Sequence, residues 1–274
     1  MLNLIISDIY LNISKYLIIY FMTEESRNVV MTKISRRRLQ KDIVEIIKHP
    51  LTEHGIYYAH DEQNMLKGYA IIFGPSDTIY RYGAYCFQFK FPTNYPFSPP
   101  KLIYLTNDEQ TRFHPNLYRN GKVCISILNT WKGEQWTSCQ SLSSVLLTLC
   151  TILNENPLIN EPGITKTNEN CNKYNEIIKY KNIEIAMISI LKNELINEKF
   201  TQFIPIMKEY FINHYKDTIQ TIDDELKKQK REKMGETRHI ILSVYYMESV
   251  LNYKKLKTNL ISFYNELTNE INKK

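Results

Sequence analysis

The 274-residue sequence lacks the cysteine patterns of a disulfide framework or a zinc cluster. Its five cysteines are odd in number and no two of them form a CxxC pair, so neither kind of cross-link is predicted and no metal site is expected. Glycine is also scarce, at 8 residues, but this is part of a general compositional skew that carries no functional information. We therefore expect a protein of a reducing compartment, cytoplasmic or nuclear.

A strong excess of charge of one sign is missing as well. The formal net charge is +6, and most basic residues are mixed with acidic ones along the chain. Bulk electrostatics therefore does not favour nucleic acid as a partner. A protein partner is the better expectation.

No clean apolar run of about 20 residues is present, although the first 22 residues approach one. Residues 4–6 and 17–21 are apolar, but Asp8 and Lys15 interrupt them. The basic n-region and small-residue cleavage site of a secretory signal are not visible.

We predict an N-terminal extension over residues 1–33 that includes an apolar helix. A dispensable or locally docked segment is one interpretation. Membrane association through residues 1–21 is a second, and a true start at Met22 is a third.

Residues 34–51 have the apolar stripe of an amphipathic helix. The stripe consists of Leu39, Ile43, Ile46 and Ile47. Period-two patterns then predict three consecutive antiparallel strands, with apolar positions at Tyr57 and Ala59, at Tyr69, Ile71 and Phe73, and at Tyr85, Phe87, Phe89 and Phe91. A fourth strand is predicted over residues 101–105. A helix followed by a four-stranded antiparallel meander indicates an α+β fold.

Residues 107–139 show little periodicity, and such long irregular segments inside a domain are usually functional. Helical spacing returns at Leu142, Val145, Leu146, Leu149, Ile152 and Leu153, and this helix should end near Asn156-Pro157. Beyond Pro162-Gly163 the pattern predicts helix almost to the end of the chain. Residues 225–236, including the basic run 227–233, are predicted to be a solvated linker between two helical segments.

The irregular segment contains His114-Pro115-Asn116 with Cys124 eight residues after the asparagine. This segment resembles the active-site segment of the ubiquitin-conjugating enzyme family. The proline-rich stretch 95–100 and Trp136 match the family in the same order. The resemblance covers about residues 34–178 and is closer to the Z class, which is specific for a dedicated ubiquitin-activating enzyme.

The resemblance implies a ubiquitin-conjugating fold with a catalytic domain over residues 34–178 and a helical C-terminal extension over residues 179–274. It implies an acyltransferase that holds ubiquitin or a ubiquitin-like protein as a thioester on Cys124. The partners would be that modifier, an activating enzyme, ubiquitin ligases and substrate proteins. No cofactor would be bound, because ATP is used upstream by the activating enzyme.

The chemistry supports Cys124 as the nucleophile independently, because a thiolate both accepts an acyl group and leaves from it readily. Cys86 in a strand and Cys150 on an apolar helix are typical of small buried hydrophobes. Cys139 lies near the same loop, and Cys171 has no distinguishing context.

Asn116 has two predicted roles, which the sequence leaves open. Its amide could donate to the oxyanion that forms when an amine attacks the thioester, or it could brace the loop. His114 is predicted to support the segment structurally. Many family members have an aspartate in the loop after the second helix, where it orients and deprotonates the incoming lysine. This chain has Asn156 at that position, with Glu155 beside it. Either Glu155 takes over the carboxylate role in this lysine-side loop, or the role is absent.

Partner surfaces are also implied by the resemblance. The first helix carries residues that would dock the activating enzyme, and a second set would contact ligases. The first set is Arg36, Arg37, Arg38 and Lys41, for which a solvated helix face is the alternative. The second set is Phe97, Pro99, Trp136 and Ser138, and a core position is the alternative for Phe97. A non-catalytic ubiquitin-binding scaffold of the same fold is the competing hypothesis, although such members lack the cysteine.

Overall fold

In a computed structural model that describes residues 31–192, 195 and 198–272, the first element is helix α1, Lys33–Lys48. The side chain of Thr32 caps it by accepting a 3.1 Å hydrogen bond from the backbone N–H of Ser35. Leu39, Ile43 and Ile46 form its buried face, as the stripe predicted. The predictions for residues 1–21 and Met22 lie outside the described residues.

Four strands follow: β1 Ile56–His60, β2 Lys67–Phe73, β3 Ala84–Lys90 and β4 Lys101–Tyr104. They form one sheet in the order β1-β2-β3-β4. The register pairs Tyr58 with Ala70 and Phe89 with Leu102 in antiparallel ladders. The predicted α+β fold with a four-stranded antiparallel meander is confirmed.

Strand β1 buries the face opposite to the predicted one. Tyr57 and Ala59 were expected to mark its apolar face, whereas Ile56, Tyr58 and His60 are the buried residues. Tyr58 packs edge-on against Phe89, with ring centroids 5.9 Å apart. His60 is tolerated inside because both ring nitrogens have partners, Tyr58 Oη at 2.7 Å and the Met65 carbonyl at 3.0 Å.

Helix α2, Leu142–Ile152, packs against α1. The Asp42 carboxylate joins them, accepting from the Leu142 N–H at 3.3 Å, from the Tyr95 hydroxyl and from Arg38 Nε at 2.9 Å. Helix α2 ends before the predicted Asn156-Pro157 boundary. The apolar stripe misplaced that end because Leu153 is still buried after the helix has stopped.

Later helices are α3, Asn170–Lys181, which continues as a π-helix over Asn182–Ser189, then α4, Ile204–Arg231, and α5, Tyr253–Asn272. Short 3-10 turns lie at Thr52–His54, Ser126–Leu128, Pro157–Asn160, Glu198–Phe203 and Val244–Tyr246. Helix α5 buries Leu256, Leu260, Phe263 and Leu267 at near-heptad spacing, whereas Ile271, the next residue of that spacing, is 50% exposed. Within the part of the chain that the structure describes, no helix is both long and apolar enough to cross a bilayer.

A β-hairpin interrupts the C-terminal helices where the sequence pattern predicted only helix. Its strands are β5, Arg238–Leu242, and β6, Met247–Leu251, paired antiparallel. Both alternate buried and exposed positions, the period of a half-buried strand. The prediction of helix is wrong here because this period of two was overlooked.

The solvated linker predicted over residues 225–236 is wrong for most of its length, because α4 extends to Arg231. Lys228 of α4 and Arg238 of β5 both bind the carboxylate of Glu176 on α3, at 3.2 and 2.8 Å. Burial raises the pKa of Glu176, but the hydrogen bonds from Arg238 and Lys228 outweigh it and leave the pKa below its usual value. Lys228 of the charged stretch and Arg238 of β5 thus join α3, α4 and the hairpin through Glu176.

Two compact units, interleaved along the chain, divide the described residues. The first comprises the chain up to Ile72, Cys86–Tyr104 and Lys122–Ile152. The second comprises Phe73–Tyr85, Leu105–Gly121 and the chain from Leu153 onward. The domain boundaries predicted at residues 34, 178 and 179 stay a prediction.

Candidate active site

Cys124 belongs to the first unit and is 2% exposed. It lies two residues before the 3-10 turn Ser126–Leu128, whose N-cap is Ile125. The Thr130 hydroxyl accepts from the Ile125 N–H at 3.0 Å and lies 3.2 Å from the carbonyl oxygen of Val123. One threonine thus pins the backbone on both sides of the predicted nucleophile.

The loop after Cys124 is tied to the proline-rich segment. Asn129 Oδ1 accepts from the Trp136 N–H at 2.7 Å, and the Trp136 indole N–H donates to the carbonyl of Pro96 at 2.6 Å. Trp136, predicted as a ligase contact, is 7% exposed and links two loops of its own unit. The other predicted contacts are accessible: Phe97 is 66% exposed, which excludes the core alternative, Ser138 is exposed and Pro99 is half-buried.

His114 and Asn116 belong to the second unit. His114 is fully buried, and its Nδ1 accepts a 3.0 Å hydrogen bond from the Asn116 N–H. The Nδ2 atom of Asn160 lies 3.3 Å from His114 Nε2 and donates to Asn116 Oδ1 at 3.4 Å. The His114 geometry supports the predicted structural role, because both ring nitrogens face partners in its own segment or in the 157–160 turn.

Arg112 holds the same segment from its N-terminal side. Its Nε donates to the His114 carbonyl at 3.2 Å and its Nη2 to the Pro115 carbonyl at 2.5 Å. The guanidinium carbon lies 3.4 Å from the centroid of the Tyr118 ring, a cation–π contact. These bonds fix the backbone on which Asn116 is mounted.

Arg112, Thr130 and Asn160 were not predicted as site residues. Arg112 lies two residues before His114, so its position next to the motif was a signal in the sequence. Asn160 lies far from the motif in sequence, and only the folded chain shows its contacts with His114 and Asn116. Thr130 gave no signal, because a threonine in an irregular loop is common.

The lysine-side loop lies in the second unit. Glu155 is exposed and Asn156 half-buried. Asn156 Nδ2 lies 3.4 Å from Glu155 Oε2, and Asn175 Nδ2 donates to the Glu155 carbonyl at 3.2 Å. The loop therefore presents a carboxylate to solvent beside the amide of Asn156.

The predicted docking residues of α1 differ in availability. Arg37 and Lys41 are exposed and Arg36 is half-buried. Arg38 donates to the carbonyls of Ser138 and Gln140 at 2.6 and 2.5 Å, besides its bond to Asp42. Arg38 is engaged inside its own unit, so the docking prediction now rests on the other three.

The remaining cysteines separate by environment. Cys86 and Cys171 are buried, Cys139 is exposed, and Cys150 is half-buried with its Sγ 3.7 Å from the His54 carbonyl. Burial raises the pKa of the thiols of Cys150 and Cys171, which disfavours the reactive thiolate. Among the described residues, no group of three or more His, Cys, Asp or Glu side chains could hold a metal ion.

Comparison with known proteins gives a family match and several relatives. The family model described as ubiquitin-conjugating enzyme matches residues 38–182. Ubiquitin-conjugating enzyme E2 Z of Xenopus tropicalis is 41% identical over 160 residues, which cover 57% of this chain and 50% of that protein. The protein of the same name from Danio rerio is 37% identical over 181 residues, covering 65% and 54%.

A more distant relative is the human dual E2 ubiquitin-conjugating enzyme/E3 ubiquitin-protein ligase BIRC6. It is 32% identical over 188 residues, which cover 64% of this chain and 4% of that protein. The chain spans about half the length of the E2 Z relatives that it matches.

Proposed function

This chain belongs to the ubiquitin-conjugating enzyme family, in its Z class, and from that premise we propose that it carries ubiquitin or a ubiquitin-like protein as a thioester on Cys124. It then transfers the modifier to a substrate lysine. The observation that supports this most is the setting of Cys124, which lies eight residues after Asn116 and whose flanking backbone is held by the Thr130 hydroxyl. No other described cysteine lies in such a segment.

Two acyl transfers make up the reaction. In the first, the Cys124 thiolate attacks the thioester carbonyl of the modifier held by an activating enzyme, and the thiolate of that enzyme leaves. In the second, the neutral amine of a lysine attacks the Cys124 thioester, an isopeptide bond forms, Cys124 leaves as a thiolate and the amine proton passes to solvent or to a nearby base.

Asn116 acts in the second transfer. The tetrahedral intermediate carries an oxyanion, and a held amide donor at such a position is typically worth about 10² to 10³ in rate. His114 and Arg112 would act through the backbone that carries Asn116. Glu155 would attract or deprotonate the incoming lysine, with Asn156 beside it.

Partners follow from the same reaction. An activating enzyme would dock on Arg36, Arg37 and Lys41, and ligases on Phe97, Pro99 and Ser138. The chain itself would need no cofactor, because ATP is consumed by the activating enzyme. We propose that these steps occur in the cytoplasm or nucleus, with a membrane-tethered form as the alternative.

The test combines the purified chain with ATP, activating enzymes and a panel of ubiquitin and ubiquitin-like modifiers. We expect an adduct that a reductant removes and that is lost in Cys124→Ala. Cys139→Ala is the matched control, since Cys139 is exposed and lies in the same region of the first unit, and it should load normally. Binding of ubiquitin without any adduct would favour the scaffold hypothesis instead. An adduct that survives Cys124→Ala would show that Cys124 is not the carrier and would refute the proposal.

A further inference from the structure

The turn of the β5–β6 hairpin carries two consecutive tyrosines with opposite environments. Tyr245 and Tyr246 both have left-handed backbone, with φ of 65° and 49°. The Tyr246 side chain is 93% exposed, whereas Tyr245 is half-buried and contacts residues of the second unit. Residues with a side chain rarely adopt this conformation, and they do so mainly where surrounding contacts hold them.

Tyr245 contacts both flanks of the segment that carries Asn116. Its carbonyl accepts from Arg119 Nη2 at 2.8 Å, and its ring lies 4.8 Å from the guanidinium carbon of Arg112. Next to the turn, Met247 Sδ accepts from the Arg112 N–H at 3.2 Å. The hairpin therefore bounds the segment at Arg112 and again at Arg119.

A second route runs through the 157–161 turn. The Tyr245 hydroxyl donates to Glu161 Oε2 at 2.5 Å. Glu161 directly follows Asn160, whose amide donates to Asn116 Oδ1. Tyr245 thus restrains the backbone around Asn116 through Arg112 and Arg119. It also restrains Glu161, which is the neighbour of Asn160, and the Asn160 amide orients the side chain of Asn116.

Tyr174 completes the packing. Its hydroxyl donates to the Arg112 carbonyl at 2.7 Å, and its ring lies 6.3 Å from that of Tyr245 in an edge-on arrangement. With its carbonyl, N–H and guanidinium all engaged, Arg112 is fixed between α3 and the hairpin. A contact that shifted Tyr245 would therefore be transmitted to the carbonyls of His114 and Pro115, which Arg112 holds.

We propose that the hairpin turn, through Tyr245, is the positioning element for Asn116 and thereby sets the rate at which the thioester is discharged to an amine. This inference rests on the proposed function. Tyr245 is a positioning residue, because it reaches Asn116 only through Arg112, Arg119 and Glu161. Loading depends on the Cys124 nucleophile and not on the attack of an amine that Asn116 assists. Loading should therefore be much less sensitive than discharge to a change at Tyr245.

The experiment measures discharge apart from loading. The chain is loaded with ubiquitin, the activating enzyme is stopped, and decay of the thioester is followed over a series of free lysine concentrations. Tyr245→Ala should lower the maximal discharge rate about tenfold and leave the half-saturating lysine concentration unchanged, since only the transition state is affected. Loading should stay within about twofold of the parent.

Tyr246→Ala is the matched control, because it removes the same side chain from the next residue of the same left-handed turn. It should discharge like the parent. An equal loss of discharge rate in the two variants, or no loss in either, would overturn the inference. Normal loading in the same variants would still support the proposed function. A parent chain that does not load at all would overturn both.

A double-mutant comparison separates positioning from a general structural effect. In an Asn116→Ala background, Tyr245→Ala should change discharge by less than about twofold, because the group it positions is gone. A full tenfold loss in that background would refute action through Asn116. If Tyr245→Ala does not fold, Tyr245→Phe, which removes only the hydroxyl to Glu161, gives the same comparison; discharge equal to the parent would then count against the Glu161 route.

Discussion

The indole N–H of Trp136 donates a 2.6 Å hydrogen bond to the carbonyl oxygen of Pro96. This bond joins the loop that follows the predicted nucleophile to the proline-rich loop, and both partners are buried. A residue expected on a partner surface is therefore a brace of its own unit. That relationship gives the first prediction.

Trp136→Phe should destabilise the first unit. The substitution leaves the Pro96 carbonyl buried without its donor, which costs about 1–3 kcal/mol. Urea unfolding followed by circular dichroism should show the lower midpoint. Trp131→Phe is the control, because Trp131 is the other tryptophan and is only half-buried; equal midpoints for both variants would contradict the role of the bond.

Stability should fall as the pH is lowered from 6.5 toward 4. Burial lowers the pKa of His60 to about 4, although the Met65 hydrogen bond opposes that shift. In the unfolded chain the pKa is about 6.5, so between these values the unfolded state binds the proton and the folded state does not. Acid therefore favours unfolding, by roughly 2 kcal/mol between pH 7 and pH 5.

Urea unfolding at the two pH values measures this dependence. His60→Gln should flatten it, because an amide does not titrate in this range. His49→Gln is the control, since the His49 side chain is 73% exposed, and it should keep the slope of the parent. A parent-like slope in His60→Gln would assign the acid sensitivity to other groups.

Gly83→Ala should destabilise the second unit. An added Cβ would lie 2.0 Å from Asn182 Oδ1, which also accepts from the Tyr85 hydroxyl at 2.7 Å. Because Asn182 is held in addition by its bond to the Arg81 carbonyl, it cannot move without losing partners. The expected cost is about 1–3 kcal/mol. Gly235→Ala, whose Cβ would meet only the Thr237 carbonyl oxygen at 3.5 Å, should leave the urea midpoint nearly unchanged.

Alkylation should follow exposure and thiol pKa among the cysteines. Cys139 is exposed and should react first with iodoacetamide, while Cys86, fully buried, should react last. Burial raises the pKa of Cys150 and Cys171 and so slows both. Cys124, at 2% exposure, should also react more slowly than Cys139. Time-resolved mass spectrometry of peptides gives the order, and alkylation of Cys124 before Cys139 would contradict the buried setting.

The sequence predicted the first helix and the sheet because their apolar periods are long and regular. Leu39, Ile43 and Ile46 are buried as a stripe because helix α1 packs on a single face. The same reasoning predicted the wrong buried face of β1, because His60 is a polar residue and was not expected in the core. Its burial is possible because both ring nitrogens have hydrogen-bond partners. Period alone cannot show that a polar side chain will find partners in the folded chain.

The candidate site was predicted only in part, for a similar reason. A motif locates Cys124, His114 and Asn116 by spacing, but the residues that hold them come from distant parts of the chain. Asn160 donates to Asn116, which lies 44 residues earlier in the sequence. The Tyr245 carbonyl accepts from Arg119, which lies 126 residues earlier. Such contacts depend on tertiary packing, which no local pattern encodes.

The interleaving of the two units also has a consequence for synthesis. Every segment of the first unit has been translated once Ile152 emerges, whereas the second unit needs the chain from Leu153 onward. Domains generally fold as units while the chain is made. We therefore expect the first unit to fold on the ribosome before residues 73–85 and 105–121 can pack with the chain from Leu153 onward. Limited proteolysis of ribosome-stalled chains that are long enough for Ile152 to have left the exit tunnel would show protected first-unit peptides and cleavage within those two segments.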